Sequence, residues 1–241
     1  MNQSIRGMGK RILEAHTYDT ILLLGEITIL NEAIINDIKL TGDITAADNV
    51  EIRNLKLLGE MKCDKNVRIT QASIIGKVQI AEDLDFTDFK VKGEVNVSGR
   101  LRGDNIDIIG MLQSTRDCEV DTFNVNGKAQ IEGMLNADSI EFKVQEDSYI
   151  REIGGDQIKI LEQNKENSKK SFITVVSNQK TPAYLTAEII EGDTIEVNAV
   201  KAKMIRGDHV VIGDNVEVDK VEYTNSLECA PHAQVKEVVK L

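Results

Sequence analysis

Tryptophan is absent from the 241 residues, proline occurs twice, and aromatic side chains make up 4% of the chain. A core built on large rings is thereby excluded, and the 41% of hydrophobic residues is left mainly to Ile, Val and Leu, which favour strands. A surplus of positive charge is also missing: 29 Lys and Arg stand against 40 Asp and Glu, a net charge of -11. Binding along a nucleic-acid backbone needs clustered cations that release counterions from phosphates, so nucleic acid is excluded as a partner class. No apolar run reaches the roughly 18 residues of a membrane-spanning helix. The opening MNQSIRGMGKRILEA lacks the apolar middle of a signal peptide, and a cytoplasmic protein is expected. The three cysteines, Cys63, Cys118 and Cys229, are too few and too widely spaced for a disulfide framework or a zinc site, and read as buried small apolar residues.

Glycine, by contrast, is present in a pattern. It occupies positions 25, 42, 59, 76, 93, 110 and 127, always 17 residues apart. At an average usage of about 7%, seven such positions would coincide by chance roughly once in 10^8, so the interval marks a structural unit. With each glycine as offset zero, offsets 2, 4, 8, 10, 13 and 15 are apolar in every unit except at Ser114 and Gly103. Offsets 3, 9 and 14, which lie between the members of each apolar pair, hold a single apolar residue, Ile34. Alternation with period two belongs to an extended chain with one face buried. Each unit therefore contains three short strands, and the steps of 4, 3 and 4 residues between inward pairs are corners. Offset 12, with Asp37, Asn54, Gln71, Asp88, Asn105, Thr122 and Ser139, supplies side chains suited to one bend. The glycine supplies positive φ or close stacking at another.

Three strands and three corners close one triangular coil, and coils stacked ~4.8 Å apart enclose a continuous aliphatic core. The expected fold is all-β, a parallel β-helix solenoid with triangular coils of about 17 residues. The unequal corners lack the hexapeptide regularity of left-handed forms and point to a right-handed helix. A main run of coils is assigned to residues 1–160. It opens with an imperfect coil over residues 8–24 that places Ile12, Tyr18, Ile21 and Leu23 inward, with Lys10 and His16 as misfits. It closes with an 18-residue coil from about Val144, whose third strand holds Ile158 and Ile160. Residues 161–182, LEQNKENSKKSFITVVSNQKTP, read as a polar protruding loop. A second run occupies residues 183–241, with units starting at Ala187, Asp208 and Asn225 and the stretch MIRG, 204–207, inserted between the first two. Its inward positions hold Ile189, Ile195, Val197, Val200 and Ala202; then Val210, Ile212, Val216, Val218, Val221 and Tyr223; then Leu227, Cys229, Ala233, Val235 and Val238. Glu191 and Lys240 break the pattern.

A terminal coil with no cap presents unpaired backbone groups and an open core, and no capping segment is legible at either end. Ile12, Tyr18, Ile21 and Leu23 at one end, and Leu227, Cys229, Val235 and Val238 at the other, are therefore the candidate self-assembly residues. Offset 16 carries Leu24, Leu58, Ile75 and Ile109 among polar members. These residues either pack over the corner glycines or form a lateral line for another rod or a partner.

Coils of about 17 residues rich in Ile and Val, opening with GDI at 42, GEM at 59, GKV at 76 and GEV at 93, resemble the bactofilins, polymer-forming cytoskeletal proteins of bacteria. The resemblance covers the repeat over most of the chain. It implies a non-enzymatic scaffold that assembles end to end without nucleotide. The chain departs from the family pattern in lacking disordered flanking tails and in carrying an interrupting loop followed by a second run of coils.

The residues do not assemble a site for chemistry. Enzymes built on β-helices need convergent bases or metal ligands, whereas His16 lies in the imperfect coil and His209 and His232 at late corners. The acids Glu82, Asp83, Asp85 and Asp88 read as a solvated face. Neither a GxxxxGK[ST] phosphate loop nor a GGxGxD calcium repeat occurs, so no catalytic, metal or cofactor residue is assigned. The expected function is that of a cytoplasmic scaffold whose chief partner is itself, with other cytoplasmic or membrane-associated proteins as further candidates. The alternative is a monomeric or dimeric binding module that recruits a protein through its loop and outward faces.

Overall fold

The computed structural model describes residues 3–14, 16–162 and 183–241. They form thirteen strand segments: β1 (Gln3–Leu13), β2 (Thr17–Ile29), β3 (Ala33–Ala46), β4 (Val50–Cys63), β5 (Val67–Ile80), β6 (Leu84–Val97), β7 (Leu101–Ser114), β8 (Cys118–Val144), β9 (Ser148–Glu162), β10 (Leu185–Val197), β11 (Val200–Ile212), β12 (Val216–Cys229) and β13 (Gln234–Lys240). They join in one parallel sheet, in chain order from β1 to β13. The chain is thus an all-β parallel solenoid. Because β9 pairs directly with β10, the two runs are one stack. The proposed loop at 161–182 lies almost wholly outside the described residues.

In the regular coils the backbone ladder runs from offset 8 of one unit to offset 4 of the next, as in Val50–Cys63, and passes unbroken through two of the three corners. The expected three short strands are therefore one bent strand per coil. Glycine makes the bend possible. Gly25, Gly42, Gly59, Gly76, Gly93, Gly110 and Gly127 all have φ between 130° and 150°, a region costly for other residues. They also stack tightly: a Cβ on Gly76 would lie 1.9 Å from the carbonyl oxygen of Gly59. Both reasons for glycine hold at once.

Inward offsets are buried throughout these coils, as Ile27, Ile29, Ala33, Ile35, Ile38 and Leu40 illustrate. The two exceptions are accommodated locally. A Cβ on Gly103 would meet the ring of Phe86 at 2.4 Å, so the larger neighbour already fills that space. The buried Ser114 hydroxyl donates to the Arg116 carbonyl at 3.1 Å and accepts from the Arg116 amide at 3.3 Å, which satisfies it without water.

Two parts of the frame differ from the sequence reading. In the first coil β1 pairs with β2 at a shift of 16 residues, aligning Arg11 with Ile27 and Leu13 with Ile29. Leu13 is consequently buried at 2% exposure, and Ile12, assigned inward, points out at 60%. Between β10 and β11 the shift falls to 15, with Leu185 opposite Val200 and Gly192 opposite Gly207, and it returns to 17 by β13. The inward column continues from Leu135 to Ile153, Ile190, Ile205, Val221 and Val238. Ile189, assigned inward, is instead exposed, while Ile190 is fully buried. MIRG is no insertion: Ile205 fills the core and Gly207 follows Gly192 in the ladder. The cause is a shortening of corners, so that inward residues from Ile190 to Ile205 advance by alternate steps of 2 and 3. At the two-residue corner between Val197 and Val200, Ala199 takes the left-handed conformation at φ 55°. The 18-residue coil with Ile158 and Ile160 on its third side agrees with the register, which places them beside Ile140 and Phe142.

Candidate assembly surfaces

The C-terminal edge gathers every residue assigned to it. β13 pairs with β12 alone, aligning Val235 with Val218 and Val238 with Val221. Leu227 and Cys229 continue the columns of Val210 and Ile212. Where the same columns are closed on both sides, their members are buried, but here Val238 is 50% exposed and Leu241 63%. Leu227, Ala233, Val235 and Tyr223 are only partly covered. The result is a cross-section of the aliphatic core, rimmed by Lys240, whose ammonium lies 5.9 Å from the centre of the Tyr223 ring.

The N-terminal edge is different. Tyr18, Ile21 and Leu23 point inward as assigned, but they are buried at 2%, 0% and 4% because β1 covers them, with Gln3 opposite Tyr18, Ile5 opposite Ile21 and Gly7 opposite Leu23. The outer edge belongs to β1 itself, whose inward line reads Gln3, Ile5, Gly7, Arg11 and Leu13. A glutamine, a glycine and an arginine make it less apolar than the opposite end.

The lateral line is also present. Register places Met8, Leu24, Thr41, Leu58, Ile75, Lys92 and Ile109 in one outward column. Leu24, Leu58, Ile75 and Ile109 are 47% to 54% exposed.

Most ion pairs among the described residues run along the stack, one coil to the next. Lys65 meets Glu82 at 2.9 Å, Arg68 meets Asp85 at 3.4 Å, and Lys159 meets Glu196 at 2.8 Å. The acids read as a solvated face are thus exposed but partnered. A further device escaped the sequence reading. At offset 7 the side-chain oxygen of Asn49 accepts the Asn66 amide at 3.2 Å, Asn66 accepts that of Asp83 at 3.1 Å, and Asp83 accepts that of Arg100 at 2.8 Å. These bonds serve backbone donors at the corner where strand pairing lapses, and their signal was the run of Asn and Asp at one offset. The Arg100 amide holds the Asp83 carboxyl below the usual carboxylate range, against the opposing effect of its partial burial.

Near the C-terminal end, Glu222 is 7% exposed and takes Lys220 at 2.8 Å and Arg206 at 2.7 Å. Hydrogen bonds from Lys220 and then Arg206 lower its pKa. The cysteine reading holds for Cys63 and Cys118, which are buried, and fails for Cys229, which the open end leaves exposed. Burial pushes the Cys118 thiol up to about 12, far from thiolate reactivity. His16 and His209 make single contacts, to the Glu32 carbonyl and the Ser226 hydroxyl, both at 2.9 Å.

Concave ground is shallow. One groove of about 450 Å³ lies over Tyr149, Glu188, Lys203, Asp219 and Lys236, but its charges pair with each other, Lys203 with Glu188 at 2.9 Å and Lys236 with Asp219 at 2.7 Å. Among the described residues no group of three or more His, Cys, Asp or Glu is placed to hold a metal, and no helix is long and apolar enough to cross a membrane.

Similarity to known proteins is partial. The chain is 38% identical over 95 residues to Uncharacterized protein YhbE of Bacillus subtilis (strain 168), a stretch covering 39% of this chain and 37% of that protein. It is 33% identical over 94 residues to Uncharacterized protein YhbF of the same organism, covering 39% and 35%. The alignments thus span little more than a third of either relative. No family profile matches the chain, and no solved structure matches it.

Proposed function

We propose that the protein is a non-enzymatic cytoplasmic scaffold of the bactofilin kind, which polymerises without nucleotide by stacking solenoids end to end. The observation that carries this reading is the C-terminal cross-section. Val238, 50% exposed, and the partly covered Leu227 and Val235 stand in the same columns that are sealed everywhere inside the rod. A second copy seated on that edge continues both the backbone ladder and the aliphatic core. Stacking several apolar side chains of this size removes enough surface to matter, at ~25 cal/mol per Å².

Electron microscopy of the purified chain is expected to show filaments one solenoid wide or multiples of it. Val238→Asp places a charge where a neighbouring core would close over it. It is expected to abolish filaments while circular dichroism keeps its β signal. Filaments that persist in this variant, or uniform short rods in the unmodified protein, sink the reading.

A further inference from the structure

The exposed apolar line at offset 16 has charged neighbours of opposite sign on its two sides. On one side, offset 14 carries Lys39, Lys56 and Lys90, with Ser73 between the last two; on the other, past the glycine, offset 1 carries Asp43, Glu60 and Glu94, with Lys77 between the last two and paired to Glu94 at 3.3 Å. Each lysine is four residues from its acid, so the two stand at nearly the same height on the rod. Parallel pairing stacks Lys39 on Lys56 and, on either side of the acids, Thr41 on Leu58 and Ile44 on Met61 in register, which fixes the lysines and acids as separate files flanking Leu58 and Ile75. Several other outward lysines, such as Lys65, Lys77 and Lys159, pair along the stack. Lys39, Lys56 and Lys90 are exposed and have no ion pair or hydrogen bond among the described residues.

We propose that this corner is a lateral interface that binds the same corner of a second copy with the two solenoid axes parallel. Symmetry decides the orientation. A twofold axis along the rod turns the lysine file of one copy onto the acidic file of the other, so that Lys39 faces Asp43, Lys56 faces Glu60 and Lys90 faces Glu94, each pair occurring twice. Between them the apolar line meets itself, Leu24 on Leu24, Leu58 on Leu58, Ile75 on Ile75. Antiparallel rods would set lysine file against lysine file, with Lys39 opposite Lys90 and Asp43 opposite Glu94, offset only in part by Glu60 opposite Lys77. Like charges there disfavour that arrangement. Lys92, the one charge in the line, faces its own counterpart in the parallel pair and limits its affinity. The interface is independent of end stacking and widens the scaffold rather than lengthening it. In a polymer the contact repeats with every subunit, so a weak single pair becomes a strong one.

Sedimentation equilibrium of the full chain carrying Val238→Asp isolates the lateral contact from the end contact, with the unmodified chain run beside it. A concentration-dependent dimer is expected. Lys56→Glu and Glu60→Lys, both at exposed positions, are each expected to weaken it by about tenfold or more, and the double variant to restore it to within about threefold. Lys92→Ile is expected to tighten it. In a Cys229→Ser background, where the remaining cysteines are buried, Leu24→Cys is expected to form a disulfide with itself, because Leu24 and Ile109 lie five coils or about 24 Å apart along the axis. A chain that stays monomeric, a double variant no better than either single one, or a crosslink that requires Leu24→Cys mixed with Ile109→Cys overturns the proposal. Filament loss in Val238→Asp alone bears on end stacking only, and the charge swap on the lateral contact only.

Discussion

The first seven coils and the later ones keep the same inward columns but turn their corners by different means. From Gly25 to Gly127 the turn is glycine at φ near 140°, spaced 17 residues and stacked without interruption. Beyond it, Gly155, Gly192 and Gly207 form a second ladder on another side of the rod, without positive φ, and the four-residue steps between inward side chains shrink to three. The column from Leu135 to Val238 crosses this change without a gap. What the solenoid holds constant is therefore the stacking of inward side chains; coil length is free to vary, from 15 residues between β10 and β11 to 18 or 19 between β8 and β9, so long as each corner finds a residue that can make it.

The sharpest way to break that comparison is to put a methyl group on each glycine ladder. Gly76→Ala sets a Cβ 1.9 Å from the Gly59 carbonyl oxygen at φ 141°, so steric overlap adds to backbone strain. A loss of more than about 4 kcal/mol is expected, seen as a collapse of the urea midpoint. Gly207→Ala meets the Gly192 oxygen at 2.6 Å with no positive φ, and its cost should be clearly smaller. Equal losses at both sites would mean that the two ladders do the same job.

Legibility in the sequence followed the same division. Where the glycine marks the frame, every inward residue could be read from alternation, including the odd Gly103 and Ser114. The frame slipped where two adjacent residues are both apolar, Ile12 with Leu13 and Ile189 with Ile190, because alternation then carries no parity and only the register decides. Corner shortening at Ala199 leaves no mark in composition. The C-terminal surface was legible because it is simply the last member of each column. The coverage of Tyr18, Ile21 and Leu23 was not, since residues 3–7 contain only one large apolar inward side chain, Ile5. The charge files beside the lateral line needed the knowledge that offsets 14, 16 and 1 run side by side.

An intermediate effect is expected from acid. In the regular coils the outward charges form mostly single exposed pairs, worth little each, whereas Glu222 in the later coils is nearly covered and held by two cations. Its folded pKa lies below the unfolded value of 4.5. The stability it contributes is therefore complete above that unfolded value and is lost as pH falls through the lower folded one. Hydrogen exchange followed between pH 6 and 3 should show β11 and β12 opening before β4 to β6, and Glu222→Gln should flatten that difference. A coil-independent response to acid would remove electrostatics as a distinction between the two runs.

The smallest effect tests the corner that replaces glycine by alanine. Ala199 sits at φ 55°, a left-handed conformation that costs a non-glycine residue about 1–2 kcal/mol, yet its methyl group is fully buried and returns about 0.8 kcal/mol. Ala199→Gly relieves the first and forfeits the second. Instead of the roughly 0.5–1 kcal/mol that alanine to glycine costs within ordinary strands or helices, it should be neutral or stabilising by up to about 1 kcal/mol. The same exchange of one methyl group would then act in opposite directions in the two runs, ruinous when added at Gly76 and harmless when removed at Ala199. A loss above about 1 kcal/mol at Ala199, measured by equilibrium urea unfolding, would show instead that burial of that methyl, not the turn, holds the shortened coil closed.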